Sequence, residues 1–264
     1  MADDNNAGCL LTVVILTLNE ARNIERCIAS AGIADEVLVV DSESVDDTCR
    51  IAERLGARVV TSPWPGCYAE QRNRADGYVR TDWILQLDAD ETISTELANE
   101  LAAFFAEGGV SRHAAGRIPR KELVFGRWIE HGGWYPQFKL RLYRKGAGQW
   151  TGRVHEGYNG YHGEPHTFTG PILHHSDCDV RTFVDKFNRY SSLDAEQAFS
   201  SGKRFSMFRL FFQPLERFFA RFIVHKGYRD GFPGLVLAFM IAFNYVLIYL
   251  KLWELEYPRK EVQG

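Results

Sequence analysis

Along the first hundred residues, apolar positions gather in short unbroken runs, and the segments between them carry a helical period. Residues 11–18 (LTVVILTL), 36–40 (EVLVV), 57–61 (ARVVT) and 83–87 (WILQL) read as buried strands. Helices are expected over 21–31, from Ser44 to about 55, over 69–78, and from Ser94 to 106. Ser44 and Ser94 are the caps, with Asp47 suited to the first turn of its helix, while Gly56 and Gly108-Gly109 are the stops. Pro63, Pro65 and Gly66 mark a loop. Continuous apolar strands that alternate with helices imply an α/β fold, a mostly parallel sheet with helices on both faces.

The pattern changes toward the C-terminus. Phe208, Phe211, Phe212, Leu215, Phe218, Phe219 and Phe222 recur at spacings of three and four, with Arg209, Arg217 and Arg221 at the flanks. That is the pattern of an amphipathic helix, which Pro214 is expected to kink or split. Residues 234–250 (GLVLAFMIAFNYVLIYL) hold no charge and follow it directly. A helix apolar all round must be buried in protein or lipid, and at about 17 residues this one is at the short limit for crossing a bilayer. The two together predict a membrane-associating tail, peripheral or monotopic rather than spanning. A homodimer through 234–250 is a further possible partnership.

Charge sharpens the division. The net charge of −3 hides 19 Asp and Glu against 8 Arg in residues 1–100, a balance of −11. Residues 203–230 carry seven Lys and Arg against Glu216 and Asp230, a balance of +5. Such a tail suits an anionic partner, and no nucleic-acid motif accompanies it. The five cysteines are scattered without a CxxC pair, which argues against a disulfide framework and for a reducing compartment. The run at 10–18 follows Asp3 and Asp4 rather than basic residues, so it reads as a strand and not as a signal peptide, and the chain is expected to stay in the cytoplasm.

In parallel sheets the ligand sits beyond the carboxyl ends of the strands. Those ends carry Thr17-Leu18-Asn19-Glu20, Asp41-Ser42 and Asp88-Ala89-Asp90-Glu91. Neither GxGxxG nor GxxxxGK[ST] occurs there, so a dinucleotide fingerprint and a P-loop are absent. An acidic, glycine-poor rim needs a cation to hold phosphate, and Asp88-x-Asp90 offers hard oxygen ligands for Mg²⁺ or Mn²⁺. An EF-hand starting at Asp88 fails, with Ile93 sixth and Asn99 twelfth.

The stretches TVVILTLNE, LVVDSESVDDT and QRNRADGYVRTDWILQLDADE, in that order and spacing, resemble the opening of a family 2 glycosyltransferase of the GT-A fold. The VHE triplet and the GYRDGFPG…KLWELE tail are similar to the lipopolysaccharide core β-glucosyltransferases (WaaE- or KdtX-like). The resemblance implies a GT-A catalytic domain over 1–180, with a nucleotide-sugar half (1–107) and an acceptor half (108–180), and a helical membrane-association region over 181–264. It implies that Thr17, Asn19, Glu20, Asp41, Gln71, Arg72, Asn73 and Asp88 line the nucleotide-sugar pocket. Asp90 would bind the metal, and His174, preferred over His175, would complete its site. Glu156 stands where the family carries the general base. Arg141, His155 and Trp134, in a segment rich in Arg, Trp and Tyr, are the candidate acceptor contacts.

The implied activity is an inverting, metal-dependent transfer of a hexose, glucose from UDP-glucose, to a heptose of the lipopolysaccharide inner core at the cytoplasmic face of the inner membrane. Two alternatives stand beside it: transfer to a polyprenyl-phosphate or other glycolipid acceptor, and a non-catalytic nucleotide-sugar-binding membrane scaffold.

Overall fold

The computed structural model describes residues 10–152, 156–176 and 180–257. Strand β1 (Leu11–Thr17) is buried at every position, as a strand covered on both faces must be. Three more strands, β2 (Glu36–Asp41), β3 (Arg58–Thr61) and β4 (Trp83–Asp88), join it in parallel in the order β3-β2-β1-β4. Helices α1 (Ile24–Ser30), α2 (Thr48–Arg54) and α3 (Tyr68–Tyr78) make the crossovers.

Alternate residues of a strand face opposite sides, and the core divides accordingly. Val13, Ile15, Val39, Leu85 and Leu87 lie under Ile24, Cys27, Ile28 and Ala52 of α1 and α2, and under Leu97, Leu101 and Phe104 of α4 (Thr95–Ala106). Val14, Leu16, Leu38, Val40 and Ile84 lie under Ala69 and Ala75 of α3.

After β4 the chain adds β5 (Glu91–Ile93), α4, a short α5 (Gly109–Arg112), β6 (Ala115–Val124), β7 (Arg127–Ile129) and β8 (Gln137–Arg144). Then come β9 (Gln149–Thr151), β10 (Gly157–Asn159), β11 (His166–Thr167) and β12 (Ile172–His174). Strand β8 runs antiparallel to both β4 and β6, and the sheet continues β8-β6-β12-β5, with β11 parallel to β6. Strands β9 and β10 form a separate ribbon. The expected GT-A-like α/β sheet with helices on both faces is present, and its later strands add antiparallel pairs.

The chain divides into two units, Met1–Lys121 with Gln137–His175, and Glu122–Pro136 with Ser176–Gly264. In the second unit the end of β6 pairs with β7 through Glu122–Ile129, Leu123–Trp128 and Val124–Arg127. Helix α6 (Val180–Ser200) and helix α7 (Met207–Phe219) both pack along α8 (Gly231–Glu256). A π-helical turn (Ala220–Val224) and a 3-10 turn (Gly227–Asp230) link α7 to α8. The small core holds Val124, Ile129, Phe183 and Leu237. The buried Asp230 accepts the backbone N–H groups of Glu130 and His131, at 3.3 and 2.8 Å.

Over Gly227–Glu256 this unit carries a helix long and apolar enough to cross a membrane, with mean hydropathy 2.1 and 22% of its most apolar stretch buried. Phe232, Leu235, Phe239 and Phe243 form an exposed stripe along it at helical spacing.

Three expectations are corrected. The helix predicted over 21–31 starts only at Ile24, because the N–H groups of Asn23 and Ile24 are first drawn into a turn by the Glu20 carbonyl. Ser44 does not cap α2, which begins at Thr48; its hydroxyl bonds the Asp41 carboxylate and the Asn19 N–H instead. Pro214 does not split α7, which runs through it with the proline as its buried residue. The irregularity falls later, in the π-helical turn, and packing along α8 holds the helix despite the missing N–H. Ser94 does cap α4, accepting the Leu97 N–H at 3.1 Å.

Gly170 shows how closely the backbone packs beside α4. Its N–H and that of Thr169 are held by the Glu100 carboxylate, and a Cβ there would lie 2.4 Å from the Leu97 nitrogen. Gly170→Ala is therefore expected to lower stability by about 1–3 kcal/mol, read as a fall in the urea midpoint at unchanged slope.

Candidate active site

The parallel register brings the strand ends together. Thr17 pairs with Asp41 across β1 and β2, and Leu16 with Asp88 across β1 and β4, so the three predicted rim positions stand side by side. The loops that follow are clasped to one another. Asn19, at a left-handed φ of 55°, donates its N–H to Ser44 Oγ and accepts the Val45 N–H on its side-chain oxygen, each at 2.8 Å. The Glu20 N–H donates to Thr48 Oγ1, and Glu20 Oε2 accepts from Asn23 Nδ2. Asp41 is buried and caps the following turn, accepting from Ser44 N–H at 2.7 Å and Ser44 Oγ at 2.5 Å. The buried Thr17 hydroxyl has no hydrogen-bond partner among the described residues.

Helix α3 delivers Gln71, Arg72 and Asn73 differently. Gln71 is buried and donates to Ser42 Oγ at 2.5 Å. Asn73 turns to the ribbon, where its amide both donates to and accepts from the Trp150 backbone at 2.9 Å. Arg72 enters the site. Its Nη2 donates to Asp88 Oδ1 at 2.8 Å and lies 3.8 Å from Glu156 Oε1, while Nη1 donates to Gln86 Oε1 at 3.1 Å. The guanidinium lies over the Trp150 ring at 4.9 Å, a cation–π contact.

Strand β8, antiparallel to β4, supplies the second arginine. The buried Arg141 donates from Nη2 to Asp88 Oδ2 at 2.8 Å and to Glu91 Oε1 at 3.1 Å. Glu91 is fully buried, also accepts the Asp88 N–H at 2.9 Å, and meets Arg120 at 3.3 Å. Burial works against the Asp88 carboxylate, but the Arg141 and Arg72 guanidiniums outweigh it and hold the group well below the usual carboxylate range. Burial pushes Glu91 above its ordinary value; Arg141 opposes this and Asp88 adds to it.

Strand β12 pairs antiparallel with β5, His174 opposite Glu91, and this sets the histidine beside Asp90. His174 Nε2 lies 3.0 Å from Asp90 Oδ2, whereas His175 Nε2 is 2.9 Å from Thr92 Oγ1. A carboxylate oxygen and an imidazole nitrogen side by side are donor types that Mn²⁺ or Mg²⁺ would accept, and these two residues would be the ones to hold it. Among the described residues no group of three His, Cys, Asp or Glu gathers, so further ligands would come from phosphate oxygens and water. Asp88, with each oxygen on a guanidinium, is differently placed from Asp90.

Of the remaining candidates, His155 lies outside the described residues, and Trp134 belongs to the second unit.

Residues 12–163, more than half of the chain, match the family described as Glycosyl transferase family 2. The chain belongs to that family. A glycosyltransferase of Rickettsia felis, named as uncharacterized, is 35% identical over 256 residues, covering 92% of this chain and 89% of its own. The lipopolysaccharide core biosynthesis glycosyltransferase LpsC of Rhizobium meliloti is 29% identical over 252 residues, covering 92% of each chain. Glucosyl-3-phosphoglycerate synthase of Mycobacterium tuberculosis, crystallised with Mn²⁺, UDP and glucosyl-3-phosphoglycerate, is 26% identical over 44% of this chain at a TM-score of 0.35. The chain spans 45% of that synthase's length.

In this family 2 glycosyltransferase, the sequence alone places Glu91 on the rim without its role as the inner carboxylate, and it does not reveal the polar stack beneath Arg72. In that stack Gln86 Nε2 and the Tyr143 hydroxyl donate to Asp76 Oδ1, at 3.1 and 2.8 Å, and Trp150 Nε1 donates to Tyr143 at 3.0 Å. The signal available for it was a glutamine inside an apolar strand, WILQL, since a buried polar side chain must find partners.

Burial raises Asp76 to about 6 from its ordinary 3.8, against the hydrogen bonds from Tyr143 and Gln86. Such a group supports the fold fully below its unfolded value and loses that support as pH rises through about 6. Asp76→Asn keeps the acceptor oxygen and removes the titration. Between about pH 4 and pH 7 it should gain stability relative to the wild type, by on the order of 3 kcal/mol, in urea melts across pH.

Proposed function

We propose that this chain is an inverting hexosyltransferase that moves glucose from UDP-glucose to a heptose of the lipopolysaccharide inner core, at the cytoplasmic face of the inner membrane. The observation that carries the reading is the meeting of Asp88, Asp90, Glu156 and His174 with Arg72 and Arg141 on one rim of a parallel sheet. The likeness to LpsC over nearly the whole chain supports the acceptor class. The charge-free stretch 234–250 of α8 and the phenylalanine face of α7 support a lipid-anchored acceptor.

In this reading Thr17, Asn19, Glu20, Asp41 and Gln71 border the nucleoside, with the unpartnered Thr17 hydroxyl as an available donor or acceptor. Glu156 takes the proton of the acceptor hydroxyl as its oxygen bonds to the anomeric carbon and the bond from that carbon to the diphosphate breaks, so configuration inverts. One base suffices, because no covalent glycosyl-enzyme forms. The Arg72 guanidinium, stacked on Trp150 and tied to Asp88, sits 3.8 Å from Glu156 and fixes where that carboxylate stands. Asp90 and His174 would hold Mg²⁺ or Mn²⁺, which when bound offsets the charge of the departing diphosphate. Arg141 is kept as the candidate acceptor contact of this unit.

UDP with Mn²⁺ should raise the melting temperature of the wild type, and Asp90→Asn should abolish the rise; a rise that needs no metal would overturn the cation site. Glu156→Gln should keep the UDP-induced rise yet lose transfer by about 10²–10⁴-fold in a UDP-release assay with purified core acceptor. Release that survives this change at the wild-type rate would move the base elsewhere. In a donor screen, turnover with a GDP-sugar and none with UDP-glucose would refute the assigned donor.

A further inference from the structure

The second unit contains a cavity that has no part in the chemistry above. It is an open cleft of about 430 Å³ at the end of α6, the 201–206 turn, α7 and α8, within the size range of small-ligand sites. Lys203, Arg204 and Arg209 line one side, and Tyr245 and Tyr249 of α8 line another. Among the described residues none of the three cations is ion-paired, and Asp194, the acid in the lining, forms no salt bridge with them.

The turn that presents the cations is built rather than loose. The Lys203 N–H donates to the Ala198 carbonyl and the Gly202 N–H to that of Phe199, both at 3.0 Å, with Gly202 in the left-handed region its φ of 83° requires. The Arg204 guanidinium lies over the Phe199 ring at 4.8 Å, and its Nη1 donates to the Phe199 and Lys203 carbonyls. Phe205 N–H is held by Glu256 at 2.9 Å, which ties the turn to the end of α8. On the far wall Tyr249 donates to Gln213 at 2.5 Å.

What lies next to the cavity decides its occupant. Arg209 and Gln213, one turn apart on α7, reach it. The neighbouring arc of the same helix exposes Phe208, Phe211, Phe212 and Leu215, each more than half accessible. A free anion would use the cations and leave that face in water, whereas an amphiphile uses both. We propose that the cavity holds the phosphate headgroup of an anionic membrane lipid, whose acyl chains run along the phenylalanine face of α7. The proposal rests on the membrane reading above and adds a specific site to it.

The test is co-flotation of the full chain with vesicles of phosphatidylcholine alone or mixed with phosphatidylglycerol. The wild type should bind the anionic vesicles about tenfold more tightly. Lys203→Gln/Arg209→Gln should bind both vesicles alike. Lys226→Gln/Arg229→Gln, which removes the same charge outside the cavity, should keep the preference. Equal binding of the wild type to both vesicles, or equal loss of preference in the two double variants, overturns the site and leaves membrane association standing. No flotation with either vesicle overturns the membrane reading itself. All four side chains are exposed, so both variants should melt with the wild type; if the first melts early, Lys203→Gln alone should lose about half of the preference on a logarithmic scale.

Discussion

A buried carboxylate needs a fixed cation, and this one constraint organises the first unit. Glu91, fully buried at the start of β5, and Asp88, half-buried at the end of β4, stand three residues apart, and Arg141 bridges them from β8. Removing one partner of such a set leaves an uncompensated charge, at a cost of about 3–5 kcal/mol. The strand that carries Arg141 must therefore lie beside β4, which it does, antiparallel. Strand β12 is likewise held to β5, and with it His174 to Asp90. The position of the outer carboxylate follows from the pairing of the inner ones.

The parallel half of the sheet was legible because its signals are local. An apolar run bounded by turn residues needs no distant partner to be recognised, and β1 to β4 begin and end within a residue of expectation. Asp41, Asp88 and Asp90 were legible for the same reason, as strand-end residues. The later strands were not. β5, β10, β11 and β12 are two or three residues long, and register with a neighbour alone defines them. Ser44 illustrates a different failure: a serine before a helix is a good cap, but here a nearer buried carboxylate at Asp41 took its hydroxyl.

The site residues divide along the same line. Arg72 and Asn73 are neighbours in sequence, yet one enters the charge network and the other is spent on the Trp150 backbone. A helix turns about 100° per residue, so adjacent side chains point apart, and only the position of the β9–β10 ribbon decides which is inward. The aromatic surroundings of Arg141 are legible in the sequence; its pairing with Glu91 depends on a strand crossing that no short window of sequence contains. In the second unit, the Phe-rich period was plain, while the hold of Asp230 on the backbone of Glu130 and His131 spans about a hundred residues.

The clasp between Asn19 and the Ser44–Val45 turn has a consequence for motion. Because each loop bonds the other's backbone and side-chain groups, opening either one exchanges both of these hydrogen bonds for bonds to water. The two loops are thereby a single stiff lip. Were the proposed nucleoside to settle against it, it would meet groups whose disorder was already lost when the chain folded, which lowers the ordering penalty of association.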